Sequence, residues 1–506
     1  MKKWFNKGVK LYLQNRYRRI QSMRQNPFQT QEQVLKSLLK RASLTEYGKT
    51  YNFSKITSSS EYSRALPLTD YEDHKDNIYK MMDGAKDVLW KGKVEWFAKS
   101  SGTTSDRSKY IPVSDDFLYK NNVASSWDTM SITYHEDPEC AIFWKKSLVM
   151  GGSLSNWKHN PAVHVGDISA ILLHRMPAVG RPFYSPDFTT AIIDDWEEKI
   201  QLMSDICIKD DIVMFGGVPT WTIVLFKRIL EKTGAKNMQE VWPNVRYYLH
   251  GGVGFDPYID QFKEFFPDPG FNYFEIYNAS EGYFAVQDRK DEKGMLLLLN
   301  NDIYYEFITM EELTNENPKS IPLSEVEMNT NYAIVVSSSA GLWRYMPGDT
   351  VKFTSVKPYR IKVSGRTKHF INVFGEEVMV GNTDKALAET MNSLPAIVSE
   401  YTVAPIFMNQ RKKGGHLWLI EFEKEPDNLQ AFAMLLDDNL KKINSDYAAK
   451  RFKDMALSKL QIQVVPRGTF HGWMASKGKI GGQNKVPRLF NSRKYVDELL
   501  GFMAEN

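Results

Sequence analysis

Short apolar runs rich in β-formers recur along about the first 280 residues of this chain, at 147–150, 212–215, 247–249 and 274–277. Stretches with helical spacing lie between them, as over 221–233, where Ile223, Phe226 and Leu230 line one side. Strands alternating with helices restrict the fold to α/β layering. Most of the runs stop at Gly, Asn or Ser, as in Phe215-Gly216-Gly217 and Leu249-His250-Gly251-Gly252. Ligands collect at such strand ends in open α/β sheets. The texture changes from about residue 325. Extended runs at 333–336, 350–353 and 360–363 lead into a turn-rich stretch at 365–375. Beyond it the pattern reads helix 382–391, strand 417–422, helix 428–443 and strand 461–465, enough for a small α+β domain. A chain of 506 residues exceeds one ordinary core. The expected division is a large N-terminal α/β domain over 1–364 and a small C-terminal domain over 365–506.

Hydrophobic content of 42% and charge of 25% are those of a globular protein, and a net charge of +4 is too small at this length to imply nucleic acid. No run of about 18 apolar residues is present to span a bilayer. Only Cys140 and Cys207 occur, without a CxxC pair, which argues against a disulfide framework or a cysteine zinc site and for a reducing, cytoplasmic setting. Residues 1–30 hold eight Lys/Arg and no acid, and Val9, Leu13, Tyr17 and Ile20 share one helical face. That pattern fits a helix packed on its own domain with a basic outer face, or weak contact of residues 1–24 with an anionic membrane surface.

The loop Ser100-Ser101-Gly102-Thr103-Thr104-Ser105-Asp106-Arg107-Ser108-Lys109 follows an extended stretch and precedes another. Small hydroxylated residues can turn N–H and O–H groups toward an anion, and the lysine adds a mobile positive charge. The same composition also suits a solvated turn. Four later segments carry similar double readings. Tyr277-Asn278-Ala279-Ser280-Glu281 sets a carboxylate at a strand end, which suits Mg²⁺ or a surface turn. Asp349, after Tyr345-Met346-Pro347-Gly348, could accept bonds from two ribose hydroxyls or simply close a turn. Gly365-Arg366-Thr367-Lys368 lies at the domain boundary, and Lys485 follows a Gly481-Gly482 pair.

In this order the five segments resemble the motifs of the adenylate-forming superfamily of acyl-CoA synthetases, luciferases and peptide-synthetase adenylation domains. Ser100-Ser101-Gly102-Thr103-Thr104, Thr45-Glu46-Tyr47-Gly48, Leu66-Pro67-Leu68-Thr69-Asp70-Tyr71-Glu72 and Gln483-Asn484-Lys485-Val486-Pro487-Arg488 are similar, more narrowly, to the auxin-responsive (Gretchen Hagen) acyl acid–amido synthetases and their bacterial relatives. The likeness runs over about residues 30 to 490. It implies a luciferase-like adenylating fold, ATP and Mg²⁺, and a two-step ligase that makes an acyl-AMP and then an amide with an amino acid. It also implies roles. Lys485, Lys109 and Glu281 are the catalytic residues, with Mg²⁺ at Glu281. Ser100, Ser101, Gly102, Thr103, Thr104, Tyr277, Asn278, Ser280, Tyr345, Asp349 and Arg366 bind the nucleotide, and Lys368 is the hinge. Trp221, Val253 and Phe255 line the acyl site. The alternatives are a CoA, thiol or other amine acceptor, and a non-catalytic nucleotide-binding or membrane-surface protein. The chain departs from the family pattern at Met346, where an Arg is usual and for which Arg344 or Arg366 would have to compensate. It departs also at Ser105-Asp106 and at Asn372.

Overall fold

The computed structural model describes residues 2–505 except 101–108, 139, 141, 144, 179, 194, 253, 254, 256, 257, 293, 316, 367–369, 372–377, 407–413, 445, 446, 449, 450, 452–456, 480–484 and 491. By its contacts the chain divides into two compact units. One is Met1–Val253, Gln261–Pro347 and Val351–Lys362; the other is Gly254–Asp260, Gly348–Thr350 and Val363–Asn506.

In the large unit the apolar runs form a mixed sheet. Tyr184–Ser185, Lys146–Val149, Ile212–Gly217, Tyr247–His250 and Asn272–Ala279 lie side by side and parallel. Ile212 to Phe215 are buried without alternation, as expected for a parallel strand covered on both faces. Gly282–Gln287 then turns back antiparallel on Asn272–Ala279, and Met295–Leu297 pairs antiparallel on its other side. Tyr359–Arg366, Asp349–Val356, Asn331–Ser338, Ile303–Thr309 and Ile321–Pro322 complete the order. A second sheet has the order Lys109–Pro112, Trp96–Ser100, Asn160–Gly166, Leu154–Trp157.

The basic N-terminal helix, Lys2–Gln25, turns Leu13, Ile20 and Met23 inward. Its face also carries two arginines into the protein. Arg16 bonds Asp128 at 2.8 Å and the Ala124 carbonyl at 2.8 Å, and Arg24 reaches Asp288 at 2.5 Å. The apolar stripe that a membrane would need is therefore occupied by the helix Ala124–Glu136 and its neighbours. No described helix is long and apolar enough to cross a membrane.

The small unit has a three-stranded sheet among the described residues. Ile397–Ile406 pairs antiparallel with Gly415–Lys424, which pairs parallel with Gln461–Val465. The two-residue strand period sorts its faces. Trp418, Ile420 and Phe422 pack with Phe432, Leu436 and Leu440 of the helix Leu429–Ile443. Leu417 and Leu419 pack with Phe470 and Trp473 of Thr469–Ser476 and with Val496 and Leu499 of Lys494–Glu505. The α+β pattern expected of this part of the chain is present.

Candidate active site

The hydroxylated loop joins two antiparallel strands, and Ser100 pairs with Lys109 at their last rung. Ser101, Gly102, Thr103 and Thr104 lie outside the described residues. Tyr71 meets the strand that leaves the loop. Its hydroxyl accepts the Tyr110 N–H at 3.0 Å, and its ring centre lies 5.7 Å from the Lys109 ammonium.

Tyr71 opens the helix Tyr71–Met82, which is fixed by a capping box. Asp70 accepts the Glu72 N–H, and Asp73 accepts the Asp70 N–H, both at 2.8 Å. One residue earlier, Thr69 pairs in parallel with Tyr345, donating its N–H to the Arg344 carbonyl and accepting that of Met346. The Thr69 hydroxyl donates to the Trp343 carbonyl at 2.8 Å, so at 3.0 Å from it His74 Nε2 must be the donor. Burial pushes His74 down to about 4 and keeps it neutral in this role. The stretch Leu66 to Glu72, which carried a resemblance but no chemistry in the sequence, thus braces two motifs: the loop's exit strand and the Tyr345 turn.

The Tyr345 turn is held from several sides. Tyr345 is fully buried and exchanges backbone bonds with Val336 at 2.8 and 2.9 Å. Arg344 has a left-handed φ of 48° and is buried. It donates twice to Glu306 at 3.1 Å, to Ser320 at 2.6 Å, and to the carbonyls of Ser63 and Leu66 at 2.7 and 2.5 Å. A guanidinium so committed cannot compensate for Met346, and that expectation is corrected. Met346 itself packs with Ile308, Ala333 and Val335. Gly348 takes φ 90°, a conformation that favours glycine, and delivers Asp349, buried, as the first residue of a strand.

Glu281 lies at the tip of a tight hairpin in which Ala279 faces Gly282. The tip is not solvated: Ser280 and Glu281 are 2% and 7% exposed. A Cβ at Gly282 would come within 2.6 Å of the Ile303 side chain and 2.8 Å of the Phe284 ring, so a larger residue would force these buried side chains to shift. Tyr277 stacks obliquely on Phe284 at 4.7 Å, and Asn278 lies opposite Tyr283. Asn121 pins the hairpin, accepting the Tyr283 N–H at 2.8 Å and donating to the carbonyls of Tyr283 at 3.2 Å and Asn301 at 2.8 Å. It does so from a π-helical stretch, Leu118–Val123, which re-aims side chains within a longer helical run. Sequence reasoning missed Asn121, because no local pattern marks a π-bulge.

Ser280 Oγ is buried with no hydrogen-bond partner among the described residues. Together with the Glu281 carboxylate it offers hard oxygen donors of the kind Mg²⁺ takes alongside water and phosphate. Tyr71, Tyr277 and Tyr345 belong to one continuous apolar core, so three of the motifs share a common support. Trp221 is half-buried on the first turn of Pro219–Thr233, the helix that follows the strand Ile212–Gly217, and Phe255 is buried. Val253 and the hinge position Lys368 lie outside the described residues, as does the side chain of Arg366. Lys485 is half-buried, in the small unit.

Three models of one family match the chain in order. The GH3 family N-terminal domain matches residues 16–216 and 158–271, the central domain 296–366 and the C-terminal domain 381–494. The chain is 22% identical to the indole-3-acetic acid-amido synthetase GH3.3 of Arabidopsis thaliana, over 93% of this chain and 90% of that protein. It is also 22% identical to the jasmonoyl–L-amino acid synthetase JAR4 of Nicotiana attenuata, over 90% of each. The solved structure of the GH3.15 acyl acid amido synthetase has the same fold, with a TM-score of 0.76 at 16% identity and 95% coverage of both chains.

Proposed function

The chain belongs to the GH3 family, and from that premise we propose that it is an ATP-dependent acyl acid–amino acid ligase. The observation that carries this reading is that Lys109, Asp349 and Lys485 lie, in order, in the segments matched by the three family domains, with Glu281 between the first two matches. In the first step a carboxylate oxygen attacks the α-phosphorus of ATP, the bond to the bridging oxygen breaks, and pyrophosphate leaves. The loop from Ser100 to Lys109 holds the leaving phosphates through hydroxyls, N–H groups and the lysine charge. Glu281 and Ser280 would hold Mg²⁺, which when bound offsets charge across the phosphates. Asp349, Tyr345 and Arg366 orient the ribose, and Tyr277 and Asn278 also bind the nucleotide. Lys485 brings positive charge to the oxygen between acyl group and α-phosphate, a contribution of about 3–4 kcal/mol for a well-aimed donor.

In the second step an amino acid nitrogen attacks the acyl carbon, the C–O bond to AMP breaks, and the amine loses a proton as the amide forms. The chain turns at Lys368 between the two steps. Trp221, Val253 and Phe255 are the residues proposed to meet the acyl group, and their apolar and aromatic character suits an apolar acid. A cytoplasmic setting is supported by the free, buried state of Cys140 and Cys207.

The test separates the two half-reactions. Lys485→Ala should lose ATP–pyrophosphate exchange by about 10²–10³-fold while still passing a supplied acyl-AMP to the acceptor. Near-normal exchange in this variant contradicts the assignment.

A further inference from the structure

Lys485 stands three residues before Arg488, and the described contacts show what holds that segment. Residues 487–490 run alongside the edge strand Ile397–Ile406. The Arg488 carbonyl accepts the Val403 N–H at 2.8 Å, the Pro487 carbonyl accepts the Thr402 hydroxyl at 2.6 Å, and Leu489 pairs in parallel with Val403. The Arg488 side chain, 11% exposed, then locks the register. One arm of its guanidinium donates to Asp384 at 3.1 Å, and the other lies 3.1 Å from Glu400 and 2.7 Å from the Tyr258 hydroxyl. Its carbon sits 4.5 Å from the centre of the Tyr401 ring. Tyr401 in turn donates to Asp384 at 2.6 Å. All these residues belong to the small unit.

One cation therefore faces two carboxylates in a confined place, where the fork geometry of arginine matters and lysine cannot reproduce it. Between this anchor and Lys485 stand only Val486 and Pro487, and proline restricts its own φ. Three residues of extended chain span about 10 Å, so the anchor limits where the lysine can go. On the reading of Lys485 given above, we infer that Arg488 is the positioning residue that fixes Lys485 for the adenylation step, acting through the Asp384–Glu400–Tyr401 cluster. It does not touch substrate.

The test compares half-reactions in the full-length protein. Arg488→Met should lower the turnover of ATP–pyrophosphate exchange by about 10²-fold, as misplacement by about an ångström does. The KM for ATP should stay within threefold, as should amide formation from supplied acyl-AMP. Arg488→Lys, which keeps the charge without the fork, should recover part of the exchange. A merely structural role would lower both half-reactions together. Should Arg488→Met fail to fold, Thr402→Val leaves the charge cluster in place and releases only the bond to Pro487. It should show the same selective loss at several-fold. Equal loss in both half-reactions, or unchanged exchange in Thr402→Val and Arg488→Met, overturns the inference. If Lys485→Ala keeps its exchange, the underlying reading fails; if that variant loses exchange and Arg488→Met does not, only the inference about Arg488 falls.

Discussion

Glu306 and Arg344 form an ion pair that is nearly sealed from water, with side chains 4% and 6% exposed. Removing the guanidinium strands a buried carboxylate, so Arg344→Met should destabilise the protein by about 3–5 kcal/mol in urea unfolding. The double variant Arg344→Met/Glu306→Gln should recover part of that loss. In whatever fraction stays folded, ATP affinity should change little; a large loss of affinity without loss of stability would return Arg344 to the nucleotide. Glu281 makes the opposite kind of prediction. Glu281→Gln should raise the Mg²⁺ needed for half-maximal exchange by on the order of 10-fold or more, and an unchanged Mg²⁺ dependence would remove it from the metal. Residues of this second sort were legible in the sequence because their chemistry stands beside Gly, Pro and strand ends. Arg344 was not, since its role is set by Glu306, Ser320 and two carbonyls far away in the chain. Thr69, His74 and Asn121 were hidden for the same reason.

The elements that periodicity announces are those with one apolar face or a short apolar run. The helix Leu429–Ile443 and the strand Gln461–Val465 lie where spacing puts them. The helix Ala124–Glu136 gives no such signal. Ser125, Asp128, Thr129, Ser131 and Thr133 are buried along it, so polar contacts rather than an apolar stripe set its place. Ile397–Ile406 was likewise not legible, because Glu400 interrupts its apolar pattern and is held by Arg488 and the Tyr401 N–H. Among elements the brace from Thr69 to the Tyr71–Met82 helix carries a pH dependence. His74 has an ordinary value of 6.5 and is pushed down to about 4 by burial. Above pH 6.5 it is neutral in both folded and unfolded chains. As pH falls below that, the unfolded chain takes up a proton that the folded one refuses until about pH 4, so stability drops across this window, by up to about 3 kcal/mol. His74→Gln keeps a donor to Thr69 and removes the titration. Its urea midpoint should fall less between pH 7.5 and 5 than that of the parent, and equal falls would contradict the assignment.

At the scale of the whole molecule, the α/β and α+β textures of the two parts reflect how each buries its core. The large unit gathers Tyr71, Tyr277 and Tyr345 into one core beneath its motifs, whereas the small unit supports Lys485 on a separate sheet. The proposed reaction has two steps: an acid is activated first, and an amine accepts it second. The identity of the acid was not legible, because aromatic residues such as Trp221 and Phe255 are also what an ordinary core is built from. The most direct measurement is ATP–pyrophosphate exchange with a panel of small apolar carboxylic acids and no acceptor present, followed by AMP release as amino acids or CoA are added. The expected result is acid-dependent exchange without acceptor, with AMP release and amide product appearing only on addition of an amino acid. Absence of exchange with every acid, or AMP release driven by CoA and not by any amino acid, would contradict it.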